Sequence, residues 1–293
     1  MSDSIYYWGR SLDDLTGNTK ELSITAVVAM LVLALASFGH YFLINQKPDK
    51  IIAFCGSASK PALEAAAESY EEKTGIEVEL HFSGSGTMLS NMKMSEKGDL
   101  YIPGSPDYMV KAIEDNVVFE NTTEMISYVV PAIITPENNP KNITSLEDLA
   151  GKDVEVGIGE PRSVCVGEYA VEILKVNDLF DRVKNNIKVH AKSCSQTASL
   201  AVIGKVDAVI GWRVFHFWNP EKTEIVYINP DKIPKIAFIP AAVSKYSERR
   251  KQAAQFIEYL GSSEGNQFFR DYGYIATENE ARELAPNADI LKV

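Results

Sequence analysis

Two short turns rich in serine and glycine constrain the fold of this chain most strongly. Residues 56–60 read GSASK and residues 83–86 read SGSG. Each turn follows an apolar, β-branched stretch, at 51–54 and 76–82, and each precedes a helical pattern. A strand, a tight turn and a helix that recur in this order predict two successive units of an α/β protein.

The same two turns are candidate anion-binding sites. Glycine lets the backbone approach a ligand closely, and serine hydroxyls can donate to its oxygens. The start of a helix adds unpaired N–H groups and about half a positive charge. Serine is also an ordinary helix cap, so a single turn of this kind would indicate little. Two of them at successive strand ends favour an anion site.

The rest of the chain continues to alternate strands and helices. Strand patterns occur at 128–135, 154–158, 187–190, 208–212, 225–228 and 233–243, and helical patterns at 107–114, 166–176, 197–203, 248–261 and 264–272. The apolar segments 128–135 and 233–243 are expected to cross between two lobes. Residues 45–130 and 237–293 would then form lobe I, residues 131–236 would form lobe II, and a ligand cleft would lie between them.

The amino-terminal region predicts a membrane-associated segment. Residues 24–44 form an uncharged, mostly apolar run, long enough to cross a bilayer as one helix after an N-terminal segment at 1–23. A cleaved signal peptide is the alternative, because Ala34, Leu35 and Ala36 resemble a cleavage site. The run continues past that site, which favours an uncleaved transmembrane anchor. Both interpretations place the remaining chain outside the cytoplasm.

Composition limits the function classes. The net charge of −11 argues against a nucleic-acid partner, because nucleic-acid binding depends on neutralising phosphates with Lys and Arg. The four histidines are scattered without metal-ligand spacing, so no metal site is predicted. No sequence arrangement offers a catalytic base for the serines that could be nucleophiles, Ser57, Ser85 and Ser195. A binding protein is therefore expected rather than an enzyme.

Three cysteines, Cys55, Cys165 and Cys194, leave one thiol over if a disulfide forms. A bridge between Cys165 and Cys194 is a hypothesis, because both are expected in loops around the same cleft. Three separate thiols remain the alternative.

Two tripeptide patterns fit the acceptor sequence for N-glycosylation. They begin at Asn121 (NTT) and at Asn142 (NIT). Both asparagines are candidate glycosylation sites, in agreement with an extracytoplasmic location.

The chain contains two consecutive segments that carry a family resemblance, FCGSASKPALEAAAESYEEKTGIEVELHFSGSGT at 54–87 and the following GDLYIPGSPDYM. They resemble the molybdate-binding members of the extracellular solute-binding proteins of ABC importers. The similarity extends through GIGEPRSVCVGEYAVEIL, SCSQTASLAVIGKVDAVIGW and FFRDYGYIA, and so covers nearly all of residues 51–276. It implies a two-lobe, periplasmic-binding-protein-like (Venus flytrap) α/β fold. It also implies a monomer without a cofactor that binds molybdate or tungstate and passes it to an ABC permease and ATPase.

The resemblance implies that two serine turns of lobe I bind the oxyanion. The first binding serine of the family falls at Ala58, so Ser57, Ser59 or a backbone N–H of this turn would take its place. The second binding serine falls at Ser85 and is retained.

In lobe II, the resemblance implies two backbone N–H donors, at Val166 and Gln196. Some members of the family contact the anion through a tyrosine, and this chain has Trp212 at that position. A subset of the family coordinates an octahedral metal through carboxylates, but Val164 stands where one of these would be expected. Four-coordinate oxyanion binding is therefore the expectation.

Several alternatives stay open. The cleft could bind sulfate or another oxyanion, or the chain could be a membrane-tethered ligand sensor without a transport partner. An enzyme is the third possibility. Arg162 and Arg213 are expected at the cleft rim or in ion pairs between lobes, and Asp107 with Tyr108 is interpreted as a helix start.

Overall fold

The computed structural model describes residues 30–32 and 50–293. Residues 30–32 have helical backbone, and the remainder of the predicted anchor or signal segment 24–44 lies outside the described residues. Among the residues that are described, none of the helices is both long and apolar enough to span a bilayer. The membrane segment therefore stays a prediction.

Two β-sheets, each packed against helices, form the body of the protein. The first sheet has the order β11-β10-β3-β1-β2, with β4 paired to β10, and the second has the order β7-β6-β8-β5-β9. We call the first sheet and its helices lobe I, and the second sheet and its helices lobe II. The strands are β1 Lys50–Gly56, β2 Glu77–Ser83, β3 Leu100–Ile102, β4 Glu124–Val129, β5 Pro131–Pro136, β6 Val156–Gly159, β7 Ile187–Ala191, β8 Ala208–Trp212, β9 Thr223–Val226, β10 Lys235–Val243 and β11 Asp289–Ile290.

Most helices follow directly from a strand. The helix after β1 has a proline in its first turn and ends at Gly75, which adopts the left-handed conformation (φ 72°) that glycine accommodates without strain. The helices are α1 Lys60–Thr74, α2 Ser85–Ser95, α3 Pro106–Glu114, α4 Cys165–Val176, α5 Phe180–Val183, α6 Cys194–Val202, α7 Val214–Trp218, α8 Arg250–Gly261, α9 Ser263–Asp271 and α10 Glu278–Leu284.

Parallel pairing brings the strand ends of each lobe to one edge. In lobe I, β1 pairs in parallel with both β2 and β3, so the turns that lead into α1, α2 and α3 lie side by side. In lobe II, β6 pairs in parallel with β7 and β8, and the starts of α4 and α6 follow β6 and β7. The two-sheet α/β architecture predicted from the sequence is confirmed.

Two local predictions are corrected. The apolar run 128–135 is not one strand, because β4 pairs with β10 in the first sheet whereas β5 pairs with β8 and β9 in the second. The chain therefore passes between the sheets at Val130. The helix predicted at 197–203 begins earlier, at Cys194, because the Ser193 side chain accepts a hydrogen bond from the backbone N–H of Gln196. The residue ranges predicted for the lobes stay predictions.

Helix α4 lies directly against the end of β6. Both Gly159 and Gly167 are buried, and a Cβ atom at Gly167 would lie only 2.1 Å from the carbonyl oxygen of Gly159. No side chain fits there, so Gly167 fixes how closely the start of α4 approaches the second sheet.

We expect Gly167→Ala to lower the free energy of unfolding by about 1–3 kcal/mol, because backbone atoms must move apart to admit the methyl group. Urea unfolding followed by circular dichroism measures the change. Gly261→Ala is the matched control, since nothing lies within 4 Å of the position its Cβ would take. Equal stability of both variants would contradict the close contact between α4 and β6.

Candidate functional site

The turn after β1 reaches across to lobe II. Ser57, Ala58 and Ser59 form a single 3-10 turn, and all three are buried. The Ser57 hydroxyl accepts a hydrogen bond of 3.1 Å from the backbone N–H of Ser195, in the first turn of α6. The Ser195 hydroxyl in turn donates to the Ser57 carbonyl over 3.4 Å. The first serine turn is thereby joined to the start of a lobe II helix.

The other two residues of this turn have partners inside lobe I. Ser59 donates its hydroxyl to the Gly56 carbonyl (3.2 Å), so its side chain closes the turn. The Ala58 carbonyl accepts a hydrogen bond of 2.5 Å from the Tyr274 hydroxyl.

Ser85, the first residue of α2, lies beside the first turn. It is 1% exposed, and its hydroxyl accepts a 3.0 Å hydrogen bond from the backbone N–H of Gly104, in the turn after β3. A Cβ atom at Gly56 would lie 2.6 Å from the Ser85 hydroxyl oxygen, so the turns are in contact. The next residue, Gly86, donates its N–H to the Ser163 carbonyl of lobe II over 3.0 Å. Both serine turns therefore meet lobe II.

Lobe II contributes two cysteines to this contact. Cys165 and Cys194 are the first residues of α4 and α6, both are buried, and their sulfur atoms lie 3.6 Å apart. They are free thiols rather than a disulfide. Gly104 packs between the lobes, because a Cβ atom there would lie 2.7 Å from Ala58 Cβ and 2.8 Å from Cys165 Sγ.

The Cys194 thiol is held in its protonated form. Burial raises its pKa well above the ordinary value, and the neighbouring Cys165 thiol raises it further. The backbone N–H of Val166 acts in the opposite direction, because it favours a negative charge on the sulfur. The indole of Trp212 also lies near this sulfur, but its N–H makes no hydrogen bond of normal geometry to it. Two predicted anion donors therefore lie near Cys194.

Three buried donors around this contact have no hydrogen-bond partner among the described residues. They are the hydroxyls of Ser105 and Tyr108 and the indole N–H of Trp212. Burial raises the pKa of Tyr108, and negative charge on Glu168 and on Cys165 would raise it further, so this side chain stays a neutral O–H donor at physiological pH. An unsatisfied buried donor costs about 1–3 kcal/mol, which a bound acceptor would recover.

The predicted site residues divide into two groups. The first group contributes to this buried contact between the lobes and consists of Ser57, Ala58, Ser85, Val166 and Trp212. We give the name interlobe cluster to these five residues together with Gly104, Tyr108, Cys165, Cys194 and Ser195.

Gln196 and Ser59 have other contacts. The Gln196 side chain is exposed, and its amide oxygen accepts a 3.0 Å hydrogen bond from the backbone N–H of Lys192. The backbone N–H of Gln196 donates to the Ser193 hydroxyl over 3.2 Å. The N–H that faces lobe I belongs to Ser195, one residue earlier.

Sequence reasoning missed Tyr108, which we interpreted only as part of a helix start. Its ring lies beside Gly86, because a Cβ atom at Gly86 would be 2.9 Å from Tyr108 Cε1. The available signal was the third strand, turn and helix in a row, at β3 and α3, which brings the GSPDYM sequence to the same edge as the two serine turns.

Charged side chains form ion pairs around the cluster rather than in it. Asp107 of α3 accepts hydrogen bonds of 2.8 Å from Lys235 and 2.8 Å from the Tyr169 hydroxyl of α4. Lys235 also pairs with Glu172 of α4 at 3.1 Å. These contacts connect α3 of lobe I with α4 of lobe II. A second pair, Lys111 with Glu168, bridges the same helices at 3.5 Å.

The two arginines expected at the cleft rim or in ion pairs between lobes have other contacts. The Arg162 side chain is 90% exposed and pairs with Glu160 at 3.1 Å. Arg213 donates to the Gly273 carbonyl and lies over the Phe217 ring at 4.7 Å. Across residues 30–32 and 50–293, His, Cys, Asp and Glu form no group of three or more that could hold a metal ion.

Comparison of the sequence with models of known protein families identifies the family of this chain. Residues 51–275 match the family model of the bacterial extracellular solute-binding proteins. The chain belongs to this family. The resemblance inferred from the serine turns is confirmed.

Two relatives show how far the similarity extends. The chain is 26% identical over 255 residues to YvgL of Bacillus subtilis (strain 168), whose name describes a candidate ABC transporter substrate-binding lipoprotein, covering 86% of this chain and 96% of YvgL. It is 22% identical over 252 residues to the molybdate-binding protein ModA of Haemophilus influenzae (strain ATCC 51907 / DSM 11121 / KW20 / Rd), covering 83% and 96% of the two chains.

Solved structures share the fold at low sequence identity. The periplasmic molybdate-binding protein of Azotobacter vinelandii superposes with a TM-score of 0.69 at 14% identity, covering 78% of this chain and all (100%) of its own. The sulfate-binding protein SubI of Mycobacterium tuberculosis H37Rv gives a TM-score of 0.71 at 14% identity, covering 83% and 93%. The fold is therefore that of periplasmic binding proteins.

Asp107 and Lys235, which both bind side chains of α4 in lobe II, give a pH-dependent prediction. Burial alone would raise the pKa of Asp107, but the hydrogen bond and charge of Lys235, with the Tyr169 hydroxyl, lower it below the usual range. Burial would lower the pKa of Lys235, but its bonds to Asp107 and Glu172 raise it. A lowered carboxyl pKa stabilises the fold above the unfolded pKa of about 3.9, and this stability is lost as the pH falls through the folded value.

We therefore expect Asp107→Asn to reduce the free energy of unfolding at pH 7 by about 1.5–3 kcal/mol, because a partly buried, charged hydrogen bond is lost. The difference from the wild-type protein should begin to shrink as the pH falls below about 4, where the unfolded carboxyl takes up a proton, and should vanish once the pH is below the lowered pKa of the folded carboxyl. Urea unfolding at a series of pH values measures both effects. A difference that stays constant down to pH 3 would rule out an ionised Asp107 as its origin.

Proposed function

We propose that this protein binds a tetrahedral oxyanion, molybdate or tungstate, in the interlobe cluster and delivers it to an ABC permease. The observation that carries the proposal is the convergence of uncharged donors from both lobes on one buried region. Ser57 and Ser85 come from lobe I, Ser195 and Trp212 come from lobe II, and Tyr108 adds an unpaired hydroxyl.

The chemistry of the donors favours an anion. The Ser57 hydroxyl accepts a hydrogen bond from the backbone N–H of Ser195, and the Ser85 hydroxyl accepts one from the backbone N–H of Gly104. The hydrogen of each of these two hydroxyls is therefore free to donate to a ligand. Val166 and Ser195 lie in the first turns of α4 and α6, where backbone N–H groups and the helix dipole favour negative charge. A dianion can be stabilised by such oriented dipoles without a neutralising side chain.

The absence of a proton on the ligand explains the choice among anions. A cluster that offers mainly donors is satisfied by an oxyanion whose oxygens all accept. Phosphate at neutral pH brings a donor of its own, and leaving this donor unpaired costs about 1–3 kcal/mol. Sulfate has the right charge but is smaller than molybdate or tungstate. The similarity to ModA supports molybdate, and the shared fold with SubI makes sulfate the competing ligand to test.

Lobe closure is the proposed mechanism. The contacts of Ser57 with Ser195 and of Gly86 with Ser163 join the lobes across the cleft. An oxyanion that enters while the lobes are apart would bridge these donors as the lobes close, and it would leave when the permease separates them again.

The setting of the protein is part of the same proposal. The name of YvgL describes a substrate-binding lipoprotein of an ABC transporter, which supports a permease and ATPase as partners. We further propose a monomer outside the cytoplasm, held at the membrane through residues 24–44. Asn121 and Asn142 are both exposed, as glycosylation acceptors must be.

Isothermal titration of the full-length chain with molybdate, tungstate, sulfate and phosphate tests the function. We expect molybdate or tungstate to bind with one site per chain, and sulfate and phosphate to bind more weakly or not at all. Tighter binding of sulfate would replace the proposed ligand while keeping the oxyanion site. No binding of any of the four anions would refute the proposal.

We expect Ser85→Ala to weaken oxyanion binding by about 1–3 kcal/mol, because a bound oxygen loses a hydroxyl donor in a buried site. Titration of the variant with the preferred anion gives the change. Ser90→Ala is the matched control on the same helix, since the Ser90 hydroxyl is exposed and donates to the Gly86 carbonyl. An affinity unchanged by Ser85→Ala would remove Ser85 from the site.

A further inference from the structure

We propose that Cys165 and Cys194 form a redox-active dithiol, which closes to a disulfide when the two lobes separate and is shielded when they close. This proposal goes beyond oxyanion binding. It depends on the geometry of lobe II and on the contact between the lobes, and it does not depend on which ligand the cleft binds.

The fold places the two thiols next to each other. β6 and β7 are adjacent parallel strands, with Gly159 opposite Ala191, and the chain leads from their ends into α4 and α6. Cys165 and Cys194 are the first residues of those helices, and their sulfur atoms lie 3.6 Å apart. A disulfide bond is about 2.0 Å long, so bond formation requires only a small movement of the two side chains.

Contact with lobe I shields the pair. Cys165 and Cys194 are 1% and 2% exposed. Gly104 of lobe I approaches Cys165 so closely that a Cβ atom there would lie 2.8 Å from the sulfur. Thiol–disulfide exchange requires an accessible thiolate. Burial raises the pKa of Cys194, so the closed protein holds this thiol in an unreactive form.

Separation of the lobes would reverse both effects. The cover supplied by Gly104 and its neighbours would be removed, and the sulfurs would face water at the starts of two helices. A helix N-terminus lowers the pKa of a thiol that is exposed there, because its dipole stabilises the thiolate. The open protein would therefore react and the closed protein would not.

The reaction balances with a disulfide-bearing oxidant. One thiolate attacks a sulfur of the oxidant's disulfide, which forms a mixed disulfide and releases one thiolate of the oxidant. The second cysteine, as its thiolate, then attacks the protein sulfur of the mixed disulfide and releases the other. The pair loses two electrons and two protons, and the oxidant becomes a dithiol or two thiols. The family is extracellular, and disulfides persist outside the cytoplasm.

Thiol counting on the full-length protein tests bond formation. The reduced protein is exposed to oxidised glutathione, quenched in acid, denatured, alkylated with a maleimide and weighed by mass spectrometry. Of the three cysteines, we expect only one to remain alkylatable in the wild-type protein and none in Cys55→Ser, the matched control. Cys165→Ser should instead accumulate a mixed disulfide between Cys194 and glutathione, because the resolving thiol is missing.

Two results would overturn bond formation. One is a wild-type protein that keeps all three thiols or gains only glutathione adducts. The other is a Cys194→Ser variant that still loses two thiols in an internal bond, which would assign the bridge to Cys55. Neither readout involves molybdate or tungstate, so a failure here is distinct from a failure of the proposed function.

The dependence on lobe separation has its own variant. Asp107→Asn weakens the contact of α3 with α4, because it removes the carboxylate that accepts from Tyr169 of α4 and that pairs with Lys235, the partner of Glu172 of α4. We expect it to speed oxidation about fivefold, because the open state becomes more populated. Asp148→Asn is the control, since the Asp148 carboxylate accepts hydrogen bonds from Thr144 and Ser145, its near neighbours within lobe II. Equal rates in the wild-type protein and Asp107→Asn, or equal acceleration by both variants, would contradict shielding by closure.

Discussion

The placement of helix starts at the carboxyl ends of parallel strands determines what this protein can bind. β1, β2 and β3 lead into α1, α2 and α3 at one edge of the first sheet, and β6 and β7 lead into α4 and α6 at one edge of the second. Backbone N–H groups at a helix start have no partner within the helix. Because the two edges meet, these groups and the neighbouring hydroxyls converge on one region.

Charged side chains lie around the interlobe cluster, whereas the cluster itself consists of uncharged groups. An anion site built from lysine or arginine would attract many anions, whereas uncharged donors select by geometry and by the number of acceptor oxygens. The hydrogen bond of Tyr169 to Asp107 and the ion pair of Lys111 with Glu168 lie around the cluster and bridge α3 to α4. Asp107, Lys235 and Glu172 together carry a net charge of −1, and Lys111 with Glu168 carries none. These side chains therefore position the lobes without adding positive charge to the proposed site. This separation is how an acidic protein, with a net charge of −11, would offer the proposed site to a dianion.

Local sequence patterns predicted the parts of the fold that local interactions determine. The strand, turn and helix units at β1–α1 and β2–α2 follow from residues that are neighbours in the chain. The run 128–135 was expected to cross between the lobes, but its division into β4 and β5 was missed, because the run is continuously apolar and the partner strands of each half lie far away in sequence. The early start of α6 could have been recognised, since Ser193 and Gln196 have the spacing of a capping box.

The site was predictable to the extent that single turns define it. The turns that hold Ser57 and Ser85 were identified from glycine and serine at successive strand ends, and the two residues themselves from the resemblance to the family. Tyr108 was missed because what makes it notable, a buried hydroxyl without a partner, arises from packing at the meeting of the lobes. Likewise, the sequence alone could not distinguish Ser195 from Gln196 as the donor that faces lobe I, since this depends on which N–H the Ser193 cap occupies.

Anomalous X-ray scattering from a crystal grown with tungstate would locate the anion itself. The tungsten peak should lie between the lobes, with its oxygens within hydrogen-bonding distance of the Ser85 hydroxyl, the turn at 57–59 and the first turn of α4. A peak bound elsewhere on the protein, or a cleft that stays free of tungsten at saturating concentration, would show that these donors do not form an oxyanion site.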